Sequence, residues 1–178
     1  MDLAANTLSC VELINFFAIV MMNSVVVAWA EGSEFAAVAD WVLSGEAGKM
    51  RRAKRTLKNW QLRSDRLPAG AETSLYLIEA VLAVHDGDRH PDSLSLILAS
   101  AINRFLNLVA HIAERKFDLS KYYDVAQKFS IPEWVVRVRH ETTHGTMPGL
   151  ETLKLGLDFC MEWIRDFQFT FLYRTEQF

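Results

Sequence analysis

Between residues 94 and 112 the apolar side chains Leu94, Ile97, Leu98, Ala101, Phe105, Leu108, Val109 and Ile112 recur every three or four positions, uninterrupted by glycine or proline. On a helix of about 3.6 residues per turn that spacing makes one continuous stripe. Such a segment must fold as a helix and must cover the stripe with neighbours. The rest of the chain supplies them. Ser33 with acidic Glu34 starts a helix through Leu43, ended near Gly45. Residues 49–62 put Met50, Ala53, Leu57 and Trp60 on one stripe and Arg51, Lys54, Arg55 and Lys58 opposite. After the Leu67-Pro68-Ala69-Gly70 turn, helix resumes over 72–84 and stops at Asp86-Gly87-Asp88. A shorter helix is expected over 120–128, and a last one over 150–173 with Leu153, Leu157, Cys160, Ile164, Phe167 and Phe171 inward. No run alternates as a strand would, and no repeat or linker divides the chain. The expected fold class is an all-α antiparallel helical bundle.

A length of 178 residues suits one such domain, at about 100–200 residues per domain. With 51% hydrophobic residues, 8 Gly and 4 Pro, a disordered chain is excluded. Cys10 and Cys160 form no C-x-x-C spacing and no N-x-S/T sequon occurs, which favours a reducing interior. Residues 13–30 carry no charge, near the lower length limit of a membrane span. Asn15, Asn23 and Ser24 interrupt that run and no basic residue precedes Lys49. A leader or anchor wants basic flanks, so the expectation is a buried helix followed by extended Val25-Val26-Val27, with no membrane partner.

The formal net charge of −3 hides an uneven distribution. The window 49–66 holds eight of the 19 basic residues (Lys49, Arg51, Arg52, Lys54, Arg55, Lys58, Arg63, Arg66) and one acid, Asp65. The remainder then has 11 basic and 21 acidic residues, a balance of −10. Solvated charged faces are common, but a cationic ridge on a docked helix is also what phosphate contact requires. The candidate RNA-binding residues are Arg51, Arg52, Lys54, Arg55, Lys58 and Arg63.

Residues 130–145 carry the chemistry. Ser130 with Glu133 predicts a capping box, Phe129 with Trp134 a hydrophobic staple, and Pro132 suits a first helical turn. Gly145 is expected as the C′ stop, with Pro148 beyond it. Arg139, His140, Glu141, Thr142, Thr143 and His144 thus occupy the last turn and a half of a short helix. His140 and His144 share a face, and Arg139 sits about 100° round. Histidines at a helix C-terminus are often only favourable partners of its dipole. An arginine and two histidines grouped there are also what RNA cleavage by its own 2′-hydroxyl needs. One imidazole takes the 2′-OH proton, another protonates the departing 5′-oxygen, and a guanidinium neutralises the phosphorane-like transition state. That chemistry needs no metal and cannot cut DNA. Without the arginine, His140-Glu141-Thr142-Thr143-His144 also matches the H-E-x-x-H zinc protease pattern, with Glu162, which has Asp166 four residues on, as a third ligand. It ranks second, because Gly145 ends the helix at once and no sheet edge is expected upstream to hold a peptide.

Arg139-His140-x-x-Thr143-His144, preceded by Ile131-Pro132-Glu133-Trp134, resembles the signature of the Las-type HEPN endoribonucleases of ribosome biogenesis. Val26-Val27-Ala28-Trp29, Glu34-Phe35, Trp60-x-x-Arg63, Leu67-Pro68, Glu72-Thr73, Arg104-Phe105-Leu106-Asn107-Leu108, Met147-Pro148 and Glu162-Trp163 resemble further blocks of that family. The resemblance assigns residues 25–178 to a HEPN nuclease domain and leaves 1–24 as an N-terminal extension. It implies a homodimer with facing motif helices and a composite site, with Arg139 and His144 essential and His140 assisting. It implies cleavage of pre-ribosomal RNA within internal transcribed spacer 2, giving 2′,3′-cyclic phosphate and 5′-OH ends. It also implies a nuclear or nucleolar location and a polynucleotide 5′-kinase partner. Family members usually continue into a tail that helps hold this kinase; the chain ends at Phe178, so kinase contact and full activity are expected to need more than it carries. A HEPN-like scaffold with weak cleavage is the remaining alternative. The chain cannot be the kinase, since it has no G-x-x-x-x-G-K-[ST] loop. Trp60, Trp134 and Trp163 are expected in the core or an interface, His111 in the long helix in a structural or surface role, and His85 and His90 beside a turn.

Overall fold

The computed structural model describes residues 29–64, 67, 69–87 and 89–172. Among these, seven helices follow one another without a strand: α1 (Gly32–Leu43), α2 (Ala47–Arg63), α3 (Ala69–Asp86), α4 (Pro91–Phe117), α5 (Tyr122–Lys128), α6 (Glu133–His144) and α7 (Leu150–Leu172). The chain is an all-α bundle, as the periodicity predicts. Helices α1 to α4 pack each on the next, and α4 also packs against α5, α6 and α7.

That central place explains why α4 buries more than its stripe. Leu94, Leu98, Ala101, Phe105, Leu108, Val109 and Ile112 are buried as expected and Ile97 is half-buried, but Ile102 and Leu106 are buried too. A helix covered from several sides has no wholly polar face to keep. By length and composition α4 could cross a membrane, yet over half of its apolar window lies inside the bundle. It is the core helix. Its first turn has Pro91 at the start and the His90 side chain accepting from the Asp92 N–H. It ends at Asp118, whose φ of 55° lets the N–H groups of Asp118 and Leu119 return to the Glu114 and Ala113 carbonyls. Where α7 crosses it, Gly156 allows close approach: a Cβ there would lie 2.8 Å from the Ile102 Cδ1.

The α2 stripe behaves as read, with Met50, Ala53, Leu57 and Trp60 all buried. Trp60 joins Trp29 and Phe35 in an aromatic cluster, with centroids 5.3 and 6.1 Å away, and its indole N–H donates to Glu34 Oε1 at 3.0 Å. Burying a large ring with its polar atom satisfied ties α1 to α2. Trp163 is buried likewise, donating to the Phe129 carbonyl at 3.2 Å, and Trp134 is half-buried against Phe159.

The start of α6 departs from expectation. Pro132 is the N-cap and no side chain caps the helix, so the Ser130–Glu133 capping box does not form. Ser130 has φ 53° and acts one helix earlier. It lets the Ile131 N–H reach the Ala126 carbonyl at 2.8 Å and thereby ends α5. Only four residues separate α5 from α6, so one serine cannot adopt both conformations. The expected staple also gives way to longer-range packing: Phe129 faces Phe117 and Trp163, with centroids 6.1 and 6.4 Å away. The helix expected before residue 29, the extended Val25-Val26-Val27, the 24/25 boundary, Arg66 and the side chains of Phe167 and Phe171 lie outside the described residues.

Candidate active site

Helix α6 is amphipathic in a way that sorts its motif. Val135, Val136 and Val138 are buried and seat the helix on the bundle. Glu133, Arg137, His140 and His144 are exposed at spacings of four, three and four, so they form one solvent stripe. The imidazoles of His140 and His144 stand side by side with ring centroids 5.4 Å apart. The histidines that do meet carboxylates lie elsewhere, His85 with Asp86 and His90 with Asp92. Arg137, outside the Arg139–His144 motif, joins this stripe because it lies three residues before His140.

Arg139 lies on the flank, as its 100° offset predicts. Its guanidinium sits over the Tyr122 ring of α5, 4.0 Å from the centroid. The Tyr122 hydroxyl donates to Asn107 Oδ1 on α4 at 2.8 Å. Thr142 and Thr143 turn their hydroxyls back to the Arg139 carbonyl, at 2.9 and 2.5 Å, and Thr142 also lies 3.2 Å from Asn103 Oδ1. Helix α6 ends after His144 with the Gly145 N–H on the Glu141 carbonyl at 2.9 Å. Gly145 stops it as expected but at φ −129°, not in the left-handed C′ conformation. A single chain therefore offers two adjacent exposed imidazoles, with a clamped guanidinium one position round the helix. Among the described residues no three His, Cys, Asp or Glu side chains are placed to hold one metal ion, so neither Glu162 nor Asp166 completes a zinc set with the two histidines.

The basic ridge is exposed along α2 but less free than its count suggests. Arg51 pairs with Asp86, and Lys54 and Lys58 reach Glu79 Oε1 at 3.3 and 2.7 Å. Lys49 pairs with Glu46 at 2.8 Å, and Arg52 stacks over Trp41 at 5.1 Å. Burial pulls the Glu79 carboxyl up, but the hydrogen bond from Lys58 and the charge of Lys54 outweigh it and hold the group below the usual glutamate range. For Asp86 the hydrogen bond from His85 comes first, and Arg51 adds to it, again lowering the carboxyl. Glu34 is held low by the Ala30 N–H and the Trp60 indole, with Arg63 contributing charge. Arg55 is exposed and no carboxylate among the described residues pairs with it. Acids of α3, distant in sequence, fold onto the ridge and neutralise part of it. An open cleft lined by Gly48, Arg51, Lys54, Arg55, Leu82 and Asp86 lies beside these pairs.

Both regions fall inside one family match. A family model described as Las1-like covers residues 27–170. The chain is 27% identical over 144 residues to the ribosomal biogenesis protein LAS1L of Mus musculus, covering 80% of this chain and 18% of that protein. It is 26% identical over 155 residues to protein LAS1 of Saccharomyces cerevisiae, covering 79% and 30%. To the pre-rRNA-processing protein las1 of Schizosaccharomyces pombe it is 26% identical over 116 residues, covering 65% and 23%. The chain thus spans less than a third of the length of each of these curated relatives. With the match running through α1 to α6 and most of α7, the chain belongs to the Las1-like family.

Proposed function

We propose that residues 25–178 form the HEPN-type nuclease domain of a pre-rRNA-processing protein acting in ribosome biogenesis, with 1–24 as an extension. The single observation that carries this reading is the exposed imidazole pair on α6, 5.4 Å between ring centroids, with Arg139 clamped beside it. In the proposed reaction the 2′-oxygen attacks phosphorus as one imidazole takes its proton. The bond from phosphorus to the 5′-oxygen breaks, and the second histidine, as imidazolium, delivers a proton to that oxygen. The Arg139 guanidinium neutralises the negative charge that builds on the equatorial oxygens. The products are a 2′,3′-cyclic phosphate and a 5′-hydroxyl end. Arg139 and His144 are assigned the indispensable roles and His140 the assisting one.

A second copy of the chain, with its own motif helix facing this one, completes the site in this reading, because one α6 turns its arginine and its histidines to different sides. Arg55, Arg52 and Arg63, with the ion-paired Arg51, Lys54 and Lys58, supply the RNA-holding surface. The names of the relatives support ribosome biogenesis and pre-rRNA processing as the setting, hence a nuclear or nucleolar location. Cleavage in internal transcribed spacer 2 and a 5′-kinase partner for the 5′-hydroxyl end are the finer parts of the proposal. The test is incubation with a spacer RNA in EDTA, alongside His144→Ala and Arg139→Ala. Cleavage that survives chelation and is lost in both variants supports the reading. Activity that vanishes with chelation, with zinc bound to the protein, would falsify it, and an intact dimer that never cuts points to a scaffold instead.

A further inference from the structure

We infer that Tyr122 is a positioning residue for Arg139, fixed in turn by Asn107; this rests on the nuclease reading and adds a residue outside the motif to it. Arginine is a long side chain with several rotatable bonds, and on a half-exposed helix flank it would sample many directions. Here the guanidinium lies 4.0 Å above the centroid of the half-buried Tyr122 ring, inside the range where the negative face of an aromatic ring attracts a cation. The ring is itself held at its far end, since the Tyr122 hydroxyl donates to Asn107 Oδ1 at 2.8 Å. Asn107 lies on the central helix α4, one turn beyond Asn103, whose Oδ1 is 3.2 Å from the Thr142 hydroxyl. Two asparagines on one face of the core helix therefore serve the flank of α6 that carries Arg139 and Thr142: Asn103 by meeting Thr142 directly, and Asn107 through the ring that carries the arginine. A stacked guanidinium keeps its N–H edge free, because stacking uses the face and phosphate uses the edge. The arrangement fixes direction without using the donors that the transition state needs.

The expected signature is in turnover, not in RNA affinity. Tyr122→Leu keeps bulk but removes the π face, and should lower kcat roughly 10- to 100-fold with KM within about two-fold. Tyr122→Phe keeps the face and loses only the Asn107 bond, so it should fall a few-fold, and Asn107→Ala should match it without adding to it. The decisive comparison replaces Tyr122 by phenylalanine or by trifluorophenylalanine, which has nearly the same shape and a ring face drained of negative charge. A lower kcat for the fluorinated side chain, with equal melting temperatures, supports positioning through the ring face. Equal kcat values for the two, or a Tyr122→Leu protein as active as the parent, overturn it. This pair also decides the matter if the leucine variant fails to fold. Arg139→Ala is run beside them: if it cleaves like the parent, the nuclease reading falls and the positioning role falls with it. If Arg139→Ala is inactive while fluorination changes nothing, only the role of Tyr122 is lost.

Discussion

Helices α2 and α6 both present cations to solvent, yet they use charge in opposite ways. Along α2 the cations are many and much of their charge is answered: Lys54 and Lys58 share Glu79, and Arg51 meets Asp86. On α6 there are few, and none of the motif's cations is paired with an acid among the described residues; Arg139 is held by a ring instead. Exposed ion pairs contribute little stability and exchange readily, so α2 suits a surface that lets go of its carboxylates when phosphates arrive. A reaction centre needs fixed geometry before the substrate comes. Counting charge finds the first kind of region, and only contacts distinguish the second.

The largest expected effect lies on α6. His144→Ala or Arg139→Ala should reduce single-turnover cleavage of spacer RNA by about 10²–10⁴-fold while leaving its dissociation constant nearly unchanged. A proportional loss of binding would erase the distinction between the helices. Next comes the framework that holds α2 to α1. Trp60→Ala should cost about 3–5 kcal/mol in denaturant unfolding, because a large buried ring and a satisfied indole N–H are both lost. On the outer face of the same helix, Arg51→Ala with Lys54→Ala and Arg55→Ala should weaken RNA binding, leave the saturated cleavage rate alone and flatten the salt slope. Arg55 should account for most of that change, at roughly 0.7 per single-strand phosphate contact. An unchanged slope would show that α2 does not touch RNA. Glu79→Gln should act the other way, tightening RNA binding a few-fold as Lys54 and Lys58 are freed.

The smallest effect is a pH dependence. Because the Glu79 and Asp86 carboxyls are depressed in the folded state, the stability they contribute is present above the usual carboxylate range. It is lost as pH falls through their lowered values. The melting temperature should therefore fall less steeply on acidification for Glu79→Gln than for the parent, so that the two differ most near neutrality and converge in acid.

What the sequence discloses follows how local each cause is. The stripes of α2 and α4 and the end of α6 after His144 depend on neighbours within a turn or two, and they are legible. The Ser130–Glu133 cap looks equally local but fails, because the end of α5 claims Ser130 first. The acids that answer the ridge sit on α3, in a segment with no pattern pointing at α2. Tyr122 and Asn107 belong to two other helices, so the clamp on Arg139 has no sequence signal at all. Thus the identity of the motif is written in six residues, and its orientation depends on helices that those residues do not mention.

The pairing of α1 and α2 has an optical consequence. Trp60 is fully buried, whereas Trp41 is half-buried and carries Arg52 across its ring, within the basic surface. Nucleic acid arriving there should quench or shift the emission of Trp41 and leave that of Trp60 dark to the event until the chain unfolds. Comparing the parent with Trp41→Phe then isolates the occupancy signal by difference, while the other four tryptophans, Trp60 among them, remain to report folding.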